Sequence, residues 1–415
     1  MPYQGLLGIL FFTSFLWLIS ENRKEVNYKA TAIGIGVQIL LAIAILKIEF
    51  LQIGFRGITK GIDTLRDATI AGTSFVFGTV VGGGDLPFDV KDGGNTFSFA
   101  FQALPMLIVM SALSMLLFKW RVLPVIVKCV SFALRKTMGI GGALGVCGAA
   151  QVFLGQTDAP LLIRPYLEKM TRSEIFTVMC LGMATTAGTI MALYATILSP
   201  SVPDVMGHLI TASIISIPGA IVLSRIMVPQ VGADTSGEVV MPYNFSNSME
   251  AVAQGTTDGL KLFASIIAML IVFVALVYLA NQIIGLIPFG DTPLTLQRML
   301  GYVMAPVSWL MGVPWSESIT AGGLLGTKTI LNEIYAFIEL DAAKETLSER
   351  TRVIMTYGLC GFANISSIGI VIGGLGALVP NRRQEVIKLA VKAVLVGTFT
   401  TCLSGTIVGL IYAAL

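Results

Sequence analysis

The stretch MGIGGALGVCGAAQVFLGQTDAPLLIRPYLE, residues 138–168, decides the fold of this 415-residue chain. It is apolar and rich in small residues, but the polar run GQTDAP interrupts it at 155–160. Each arm has roughly 10–17 residues and would reach only about 15–25 Å as a helix. Neither arm crosses a hydrocarbon core of about 30 Å. The stretch therefore predicts a re-entrant hairpin, whose tip must face protein or a water-filled cavity because lipid cannot satisfy its backbone.

A second stretch has the same design. SESITAGGLLGTKTILNEIYAFIELDA, at 316–342, has a short apolar arm that ends at LGTK, and its second arm starts with Leu331-Asn332-Glu333. After each hairpin comes a charged linker and then a helix with a polar, glycine-containing interruption: GMATTAGTI at 182–190 and GFANISSIGI at 361–370. Paired broken segments in two halves of a chain indicate a secondary transporter with inverted repeats.

The composition agrees with a membrane location. Hydrophobic residues make up 55% of the chain and charged residues 12%, against roughly 25% charged in soluble domains. The mean hydropathy is +0.83 and the net charge +3. These values exclude a disordered chain, a nucleic-acid binder built on a basic patch, and almost any soluble enzyme of this length.

Apolar runs predict eight transmembrane helices in an all-α integral membrane protein. The predicted spans are 4–20, 28–48, 97–118, 173–198, 206–228, 259–286, 352–378 and 386–413. The first run has no basic region or A-x-A site, so we interpret it as a span rather than a cleavable signal. Amphipathic stretches at 52–72 and 246–258 predict helices that lie along the membrane interface.

We expect three segments along the chain. Residues 1–50 form a peripheral or scaffold pair of helices, 51–228 the first repeat, and 229–415 the second. Lys and Arg concentrate after the first and third spans, before the fourth, and between the last two, which predicts an outside N-terminus. Arg350 and Arg352 run against this orientation.

Two carboxylates lie within the hairpins, Asp158 and Glu333. A charged group in mid-membrane is costly and is therefore a functional-site candidate. Polar residues accompany them in the hairpins and the interrupted helices: Gln156, Thr157, Thr185, Thr186, Thr189, Asn332, Asn364, Ser366 and Ser367. Such a set, with Lys328 as almost the only cation, suits a neutral molecule rich in hydroxyls or amides, because carboxylates accept paired hydroxyl protons and amides offer both donor and acceptor.

Each of these residues also has a structural interpretation. Asp158 precedes Ala-Pro and is a candidate N-cap. Glu333 is a candidate ion-pair partner of Lys328, and Phe362 a candidate core residue. The polar residues of 364–367 are candidates for hydrogen bonds between helices. A coupling cation would need oxygen ligands, and the candidates are Gln151, the helix break near Leu154, Thr185 and Thr186. The alternative is that these polar residues only take part in helix packing.

Several motifs resemble the concentrative nucleoside transporter family in its short bacterial form. They are GQTDAPLLIRPYL, LNEIYAF, GFANISSIGIVIGGLG, VLPVIVKC, GTTDGLKL, MGVPW and PNRRQEVIKLAVKA, and the resemblance covers nearly the whole chain. It implies two opposed hairpins and a homotrimer in the bacterial inner (cytoplasmic) membrane. It also implies import of nucleosides, driven by a sodium or proton gradient and with no cofactor.

The resemblance also implies roles for individual residues. Gly155, Gln156, Thr157 and Asp158 match the base-binding motif, and Ile190 matches an apolar contact to the base. Glu333, Phe362, Asn364 and Ser367 match the ribose-binding positions. The family's sodium ligands match Gln151, Leu154, Thr185 and Thr186.

The chain departs from the family pattern in the first half. Asp158 stands where the motif has Glu, and Gln151 stands where it has Asn. A Glu-Ser pair near the start of the first hairpin is replaced by Leu144 and Gly145. These changes leave open an uncoupled facilitator or a carrier of another neutral polar molecule.

Two other classes fit less well. A membrane hydrolase that used Asp158 and Glu333 would need a general base or a metal-ligand cluster, and the chain has one histidine, His208. A channel would show a continuous polar stripe along its spans, whereas the polar residues here cluster at the breaks.

Overall fold

The computed structural model describes residues 2–83, 97–241, 243–286 and 293–412, and its regular structure over these ranges is helical. The predicted all-α class is confirmed. Six helical stretches among the described residues are long and apolar enough to cross a membrane. Two shorter apolar helices, Gln4–Leu18 and Ile365–Leu378, lie within the two remaining predicted spans.

The N-terminal part contains the first two predicted spans and the first predicted interfacial helix. Its helices are α1 (Pro2–Leu18), α2 (Tyr28–Lys47), α3 (Glu49–Phe77) and α4 (Thr79–Gly82). The predicted interfacial helix over 52–72 is thus the middle of a longer helix, α3, whose polar and apolar residues lie on opposite faces.

The first half of the remaining chain contains the first hairpin. Its helices are α5 (Met106–Lys119), α6 (Val122–Met138), α7 (Gly142–Asp158), α8 (Arg164–Leu167), α9 (Arg172–Ala184), α10 (Gly188–Leu198) and α11 (Val205–Met227). No helix was predicted over the residues of α6, which follow the third predicted span. They form an amphipathic helix that packs against α7.

The second half contains the second hairpin. Its helices are α12 (Ser248–Ile284), α13 (Leu296–Leu310), α14 (Trp315–Ile330), α15 (Glu333–Ala342), α16 (Glu349–Leu359), α17 (Ile365–Leu378) and α18 (Arg383–Tyr412). The predicted interfacial helix over 246–258 is continuous with the sixth span in α12, so it is not a separate element. The helix α13, which packs along α14, was not predicted from the sequence.

Both halves have the same order of elements. A membrane helix (α5 or α12) is followed by an amphipathic helix (α6 or α13) and a hairpin (α7–α8 or α14–α15). A helix broken in its middle (α9–α10 or α16–α17) and a closing helix (α11 or α18) complete each half. The predicted hairpins and repeated organisation are therefore confirmed, while the segment limits at 50 and 228 stay predictions.

The helices differ in how deeply they are buried. α9, α11 and α18 pack against one another and form the core, buried along most of their lengths. α12 pairs with α5 through close contacts: a Cβ at Gly255 or Gly259 would come within 2.7 Å of α5 backbone atoms. Its other face exposes apolar side chains such as Ile271 and Leu279, which suits contact with lipid.

An ion cluster ties the N-terminal helices to the core. Glu21, in the α1–α2 connection, accepts hydrogen bonds from Arg172 at 2.9 and 3.1 Å and from Lys392 at 2.7 Å. Arg172, and then Lys392, lower the pKa of Glu21 to about 2. Because the folded state favours the ionised form, this stabilisation is present above the ordinary pKa of about 4.3 and is lost as the pH falls toward 2.

The two arginines that run against the predicted orientation have structural partners. Arg350 donates to the carbonyl oxygens of Gly312 and Gly409 at 2.8 and 3.1 Å, and Arg352 donates to that of Lys344 at 2.8 Å. These carbonyls lie at or near the ends of helices, where backbone acceptors lack intrahelical partners. The positions of the two arginines therefore follow from helix capping. The outside location of the N-terminus stays a prediction.

Candidate substrate and cation sites

One cavity of about 510 Å³ lies between the two hairpin tips and the two broken helices. All nine residues predicted from the sequence to bind substrate line it: Gly155, Gln156, Thr157, Asp158, Ile190, Glu333, Phe362, Asn364 and Ser367. They come from four elements that are far apart in the chain, so the fold brings the two halves together at one place. The volume is typical of sites for small molecules, roughly 300–1,000 Å³.

A buried carboxylate occupies the second-hairpin side of the cavity. Glu333 is 4% exposed, and its two oxygens accept hydrogen bonds from Tyr194 Oη at 2.8 Å and Asn364 Nδ2 at 3.0 Å. Each carboxylate oxygen keeps a further acceptor site. Glu333 is therefore held in one orientation while it can still accept hydroxyl protons from a ligand.

Two half-helices begin at this carboxylate. Asn332 caps α15 by accepting from Tyr335 N at 2.9 Å, and Asn364 caps α17 by accepting from Ser367 N at 2.8 Å. Asparagine is a preferred N-cap, which explains why both helices start at these points. Glu333 follows its cap directly, where the positive end of the helix dipole stabilises a carboxylate.

The hydrogen bonds also decide between the interpretations of these residues. Asn364 makes both kinds of hydrogen bond: Ser366 Oγ donates to its Oδ1 at 2.7 Å within one helix start, and its own Nδ2 joins α17 to Glu333 of α15. Lys328 forms no ion pair with Glu333 among the described residues. Its ammonium is fully buried and donates at 2.9 Å to Gly358 O and Thr401 Oγ1. Lys328 is thus held by α16 and α18 and does not line the cavity.

The first hairpin forms the opposite wall. α7 is kinked at Gly155, whose φ of 79° and ψ of −179° lie in a region that only glycine occupies readily. A Cβ there would also come within 2.9 Å of the Cβ of Ala187, in the break between α9 and α10. This glycine therefore permits both the turn at the hairpin tip and its contact with the broken helix.

The side chains beyond this kink are polar and incompletely paired. Gln156 Oε1 is buried without a hydrogen-bond partner among the described residues, and Thr157 Oγ1 lies 3.5 Å from Asp158 Oδ1. Asp158 stands at the N-cap position of the turn Ala159–Ile163, but its side chain makes no capping hydrogen bond. Capping therefore does not account for Asp158, and its carboxylate lines the cavity with few competing partners.

Part of the cavity wall was not predicted from the sequence. α5 and α12 contribute Ser111, Ser114, Asp258, Lys261 and Ser265. The GTTDGLKL motif stood out, but nothing in its spacing indicated that Asp258 and Lys261 face the hairpins. Tyr194, which orients Glu333, was also not predicted as a site residue, because it lies in an apolar span. It follows Ile190 by one helical turn and therefore lies on the same face of α10.

The four candidate cation ligands come from α7 and from the break after α9, two helices that pack against each other. Gln151, Thr185 and Thr186 are fully buried, and Leu154 precedes the Gly155 kink. Gln151 Oε1 has no hydrogen-bond partner among the described residues, and Thr186 follows the end of α9. A buried acceptor without a partner is rare and needs an explanation. Carbonyl and hydroxyl oxygens at a helix break fit a monovalent cation.

Three family models match consecutive parts of the chain. They describe the N-terminus of Na⁺-dependent nucleoside transporters (residues 7–80), nucleoside recognition (100–201), and the C-terminus of Na⁺-dependent nucleoside transporters (208–409). The nucleoside-recognition model covers the first hairpin and the first broken helix, and the C-terminal model covers their counterparts in the second half.

Individual relatives match along nearly the whole chain. The nucleoside permease NupC of Helicobacter pylori is 35% identical over 97% of this chain and 96% of its own. The sodium/nucleoside cotransporter 1 of Rattus norvegicus is 33% identical over 98% of this chain and 63% of its own. The substrate-bound, inward-facing structure of CNTnw superposes with a TM-score of 0.90 at 34% identity, over 98% of both chains.

Proposed function

Because this chain belongs to the concentrative, Na⁺-dependent nucleoside transporter family, we propose that it imports nucleosides by cation-coupled alternating access. It is a transporter rather than an enzyme, and a multi-pass protein of the bacterial inner membrane. One observation carries the proposal of nucleosides as substrate: a single cavity holds a buried, oriented carboxylate on one wall, and the unpaired amide oxygen of Gln156 with the carboxylate of Asp158 on the other.

We assign the ribose to the second-hairpin side of this cavity. Glu333 accepts the protons of two ribose hydroxyls, and Asn364 and Ser367 add donor and acceptor groups beside it. Phe362 supplies an apolar surface next to these polar groups. The cavity has one cationic side chain, Lys261, among the described residues, and Asp258 lies 3.4 Å from it. This charge balance favours a neutral substrate over a nucleotide.

We assign the base to the first-hairpin side. The amide of Gln156 and the carboxylate of Asp158 offer the mixed donor and acceptor groups that a base edge requires. Ile190 provides an apolar contact on α10. The carboxylate at position 158 is one methylene shorter than the family's Glu, which leaves more room at this end.

The extra room leads to a prediction on base preference. We expect Asp158→Glu to lower the ratio of adenosine to uridine uptake by roughly tenfold, because one methylene in a fitted pocket changes discrimination by about that factor or more. The measurement is initial uptake of each labelled nucleoside into cells at matched expression. Asp63→Glu makes the same change on exposed α3 and should leave the ratio unaltered; an unchanged ratio in Asp158→Glu would remove the proposed role.

We propose that the coupling ion is a monovalent cation bound by Gln151, Leu154, Thr185 and Thr186. The unpaired Gln151 Oε1 supports this assignment, as do the helix breaks at Gly155 and after Ala184 beside these residues. A cation there would hold the hairpin tip against the broken helix and so link ion binding to substrate binding. Sodium suits these amide, carbonyl and hydroxyl oxygens, whereas coupling to a proton would need a titratable group in place of this set.

We also propose that the protein assembles as a homotrimer, as the family resemblance implies. The experiment that tests the transport proposal is gradient-driven nucleoside uptake by the purified protein in proteoliposomes.

A further inference from the structure

Lys328, in the first arm of the second hairpin, is a buried cation that the proposed transport mechanism does not use. Its side chain is fully buried, and none of the ion pairs among the described residues includes it. Lysine is almost never fully buried unless it is paired with an opposite charge. The burial of Lys328 therefore calls for a role that an apolar residue could not fill.

Two neutral oxygen atoms hold the ammonium of Lys328. Nζ donates at 2.9 Å to Gly358 O, in the last turn of α16, and at 2.9 Å to Thr401 Oγ1 of α18. Thr401 donates its own proton to Thr398 O at 2.9 Å and so presents an oxygen acceptor to Lys328. The carbonyl groups of a last helical turn lack intrahelical partners and lie at the negative end of the helix dipole, which favours a cation there.

Lys328 has the same place in its hairpin as Gln151 has in the first hairpin. Lys328 lies three residues before Leu331, the residue that follows the end of α14. Gln151 lies three residues before Leu154, which directly precedes the kink in α7. Both side chains therefore stand about one helical turn before the point at which the first arm of the hairpin breaks.

Both side chains also approach the end of the helix that follows their hairpin. Lys328 bonds to Gly358 O, and α16 ends at the next residue. A Cβ at Gly182, two residues before the end of α9, would lie 3.5 Å from Gln151 Nε2. The ammonium of Lys328 therefore occupies, in the second half, the place beside a helix break to which we assign the coupling cation in the first half.

We propose that the Lys328 ammonium is a tethered monovalent cation that holds the second hairpin against α16 and α18, at the counterpart of the first half's cation site. The second half then needs no cation from solution. Lys328 is thus a positioning residue for ribose binding. The comparison with Gln151 rests on the proposed function, whereas the anchoring of the hairpin rests on the hydrogen bonds of Lys328 itself.

This anchor lies shortly before the proposed ribose-binding groups in both segments of the chain. Glu333 follows Lys328 by five residues, and Asn364 follows Gly358 by six. Glu333 and Asn364 then meet across the two segments, at 3.0 Å. Without the ammonium, the end of α14 is free to separate from the end of α16, and the hydrogen bond between Glu333 and Asn364 should weaken.

Chemical rescue of Lys328→Gln by ammonium tests this role in the purified full chain in detergent. Gln is shorter than Lys, and its amide oxygen would face the place that Nζ leaves, so a free ammonium ion can enter there. At fixed, saturating sodium, we expect the variant to bind labelled uridine at least about tenfold more weakly than the parent chain. Ammonium chloride should restore most of this affinity. Tetramethylammonium chloride, whose cation is too large for that place, should restore none, and the parent chain should respond to neither salt.

Two further variants separate the charge of Lys328 from its packing. Lys328→Met nearly keeps the length of the side chain but has no N–H donor and leaves no room, so it should lose the same affinity without rescue by ammonium. Lys60→Gln makes the first change on exposed α3 and should bind uridine like the parent chain in both salts. Because Lys328 acts through Glu333, Lys328→Gln should lose far less affinity for 2′,3′-dideoxyuridine than for uridine.

Thermal unfolding supplies a second readout that needs no nucleoside. Ammonium should raise the unfolding temperature of Lys328→Gln by a few degrees relative to tetramethylammonium and should leave that of the parent chain unchanged. A variant that folds only in ammonium would meet the same expectation. If the parent chain bound no nucleoside while ammonium still stabilised Lys328→Gln, the proposed function would be contradicted and the tethered cation supported.

Three results would overturn the tethered cation. They are parent-like uridine affinity in Lys328→Met, no effect of ammonium on Lys328→Gln in either measurement, and a Lys328→Gln variant that is unfolded in both salts. An equal loss of affinity for uridine and 2′,3′-dideoxyuridine in Lys328→Gln would overturn the positioning role.

Discussion

Replacing Glu333 with Gln is expected to lower uridine uptake by roughly 10- to 100-fold. Hydrogen bonds to a charged group contribute about 1.5–3 kcal/mol, and about 1.4 kcal/mol corresponds to a factor of ten. A Gln side chain also has only one acceptor oxygen for the donors of Tyr194 and Asn364. Its amide group would face one of these donors and would offer a ribose hydroxyl a weaker, uncharged acceptor.

A substrate analogue separates substrate binding from folding. The parent protein should prefer uridine to 2′,3′-dideoxyuridine, and this preference should collapse in Glu333→Gln because we propose that the carboxylate contacts the hydroxyls. Glu339→Gln makes the same change two turns along α15, where Glu339 accepts from Gln297 at 3.1 Å outside the cavity. It should preserve the preference. A proportional loss for both nucleosides in Glu333→Gln would indicate that Glu333 only supports the structure.

Replacing Gly155 with Ala is expected to reduce uptake at least tenfold for every nucleoside. The backbone conformation at Gly155 costs about 1–3 kcal/mol for a residue with a side chain, and the new methyl group would press on Ala187 at 2.9 Å. The hairpin tip must then shift, and it carries both the proposed base-binding residues and the Leu154 carbonyl. Base recognition and cation binding should therefore weaken together.

The matched control for this prediction is Gly36→Ala in α2. A Cβ at Gly36 meets nothing within 4 Å, so this variant should transport like the parent chain. Initial uptake rates at several nucleoside and sodium concentrations measure both affinities. If Gly155→Ala kept both affinities while Gly36→Ala did the same, the tip conformation would not be needed for transport.

The sequence predicts the hairpins well because lipid cannot hydrogen-bond a polar, broken backbone, so a polar interruption in an apolar run must lie against protein or water. Asp158 and Glu333 stand out for a related reason, since an ionisable residue at mid-membrane is costly. The nine proposed substrate residues could be named in advance, although most of their roles came from family motifs rather than from spacing. Only the fold shows that these nine residues line one cavity.

Other features could not be predicted from the sequence, for identifiable physical reasons. α6 and α13 are amphipathic helices that pack on the hairpins, and their polar faces resemble loop sequence. Lys328 stands in the second hairpin, yet its long side chain reaches Gly358 and Thr401 instead of the cavity. Asp258 and Lys261 reach the cavity wall because of the way α12 packs against α5, and no local sequence pattern specifies that packing.

Coupled nucleoside import is tested most directly by uptake of labelled uridine and adenosine into proteoliposomes that contain only this protein. Parallel samples carry an inward sodium gradient, an inward proton gradient, or no gradient. We predict that internal nucleoside rises above the external concentration under one of the two gradients and only equilibrates, more slowly, without either. No uptake of any nucleoside would contradict the substrate assignment, and equal equilibration in all three samples would contradict coupling through Gln151 and its neighbours.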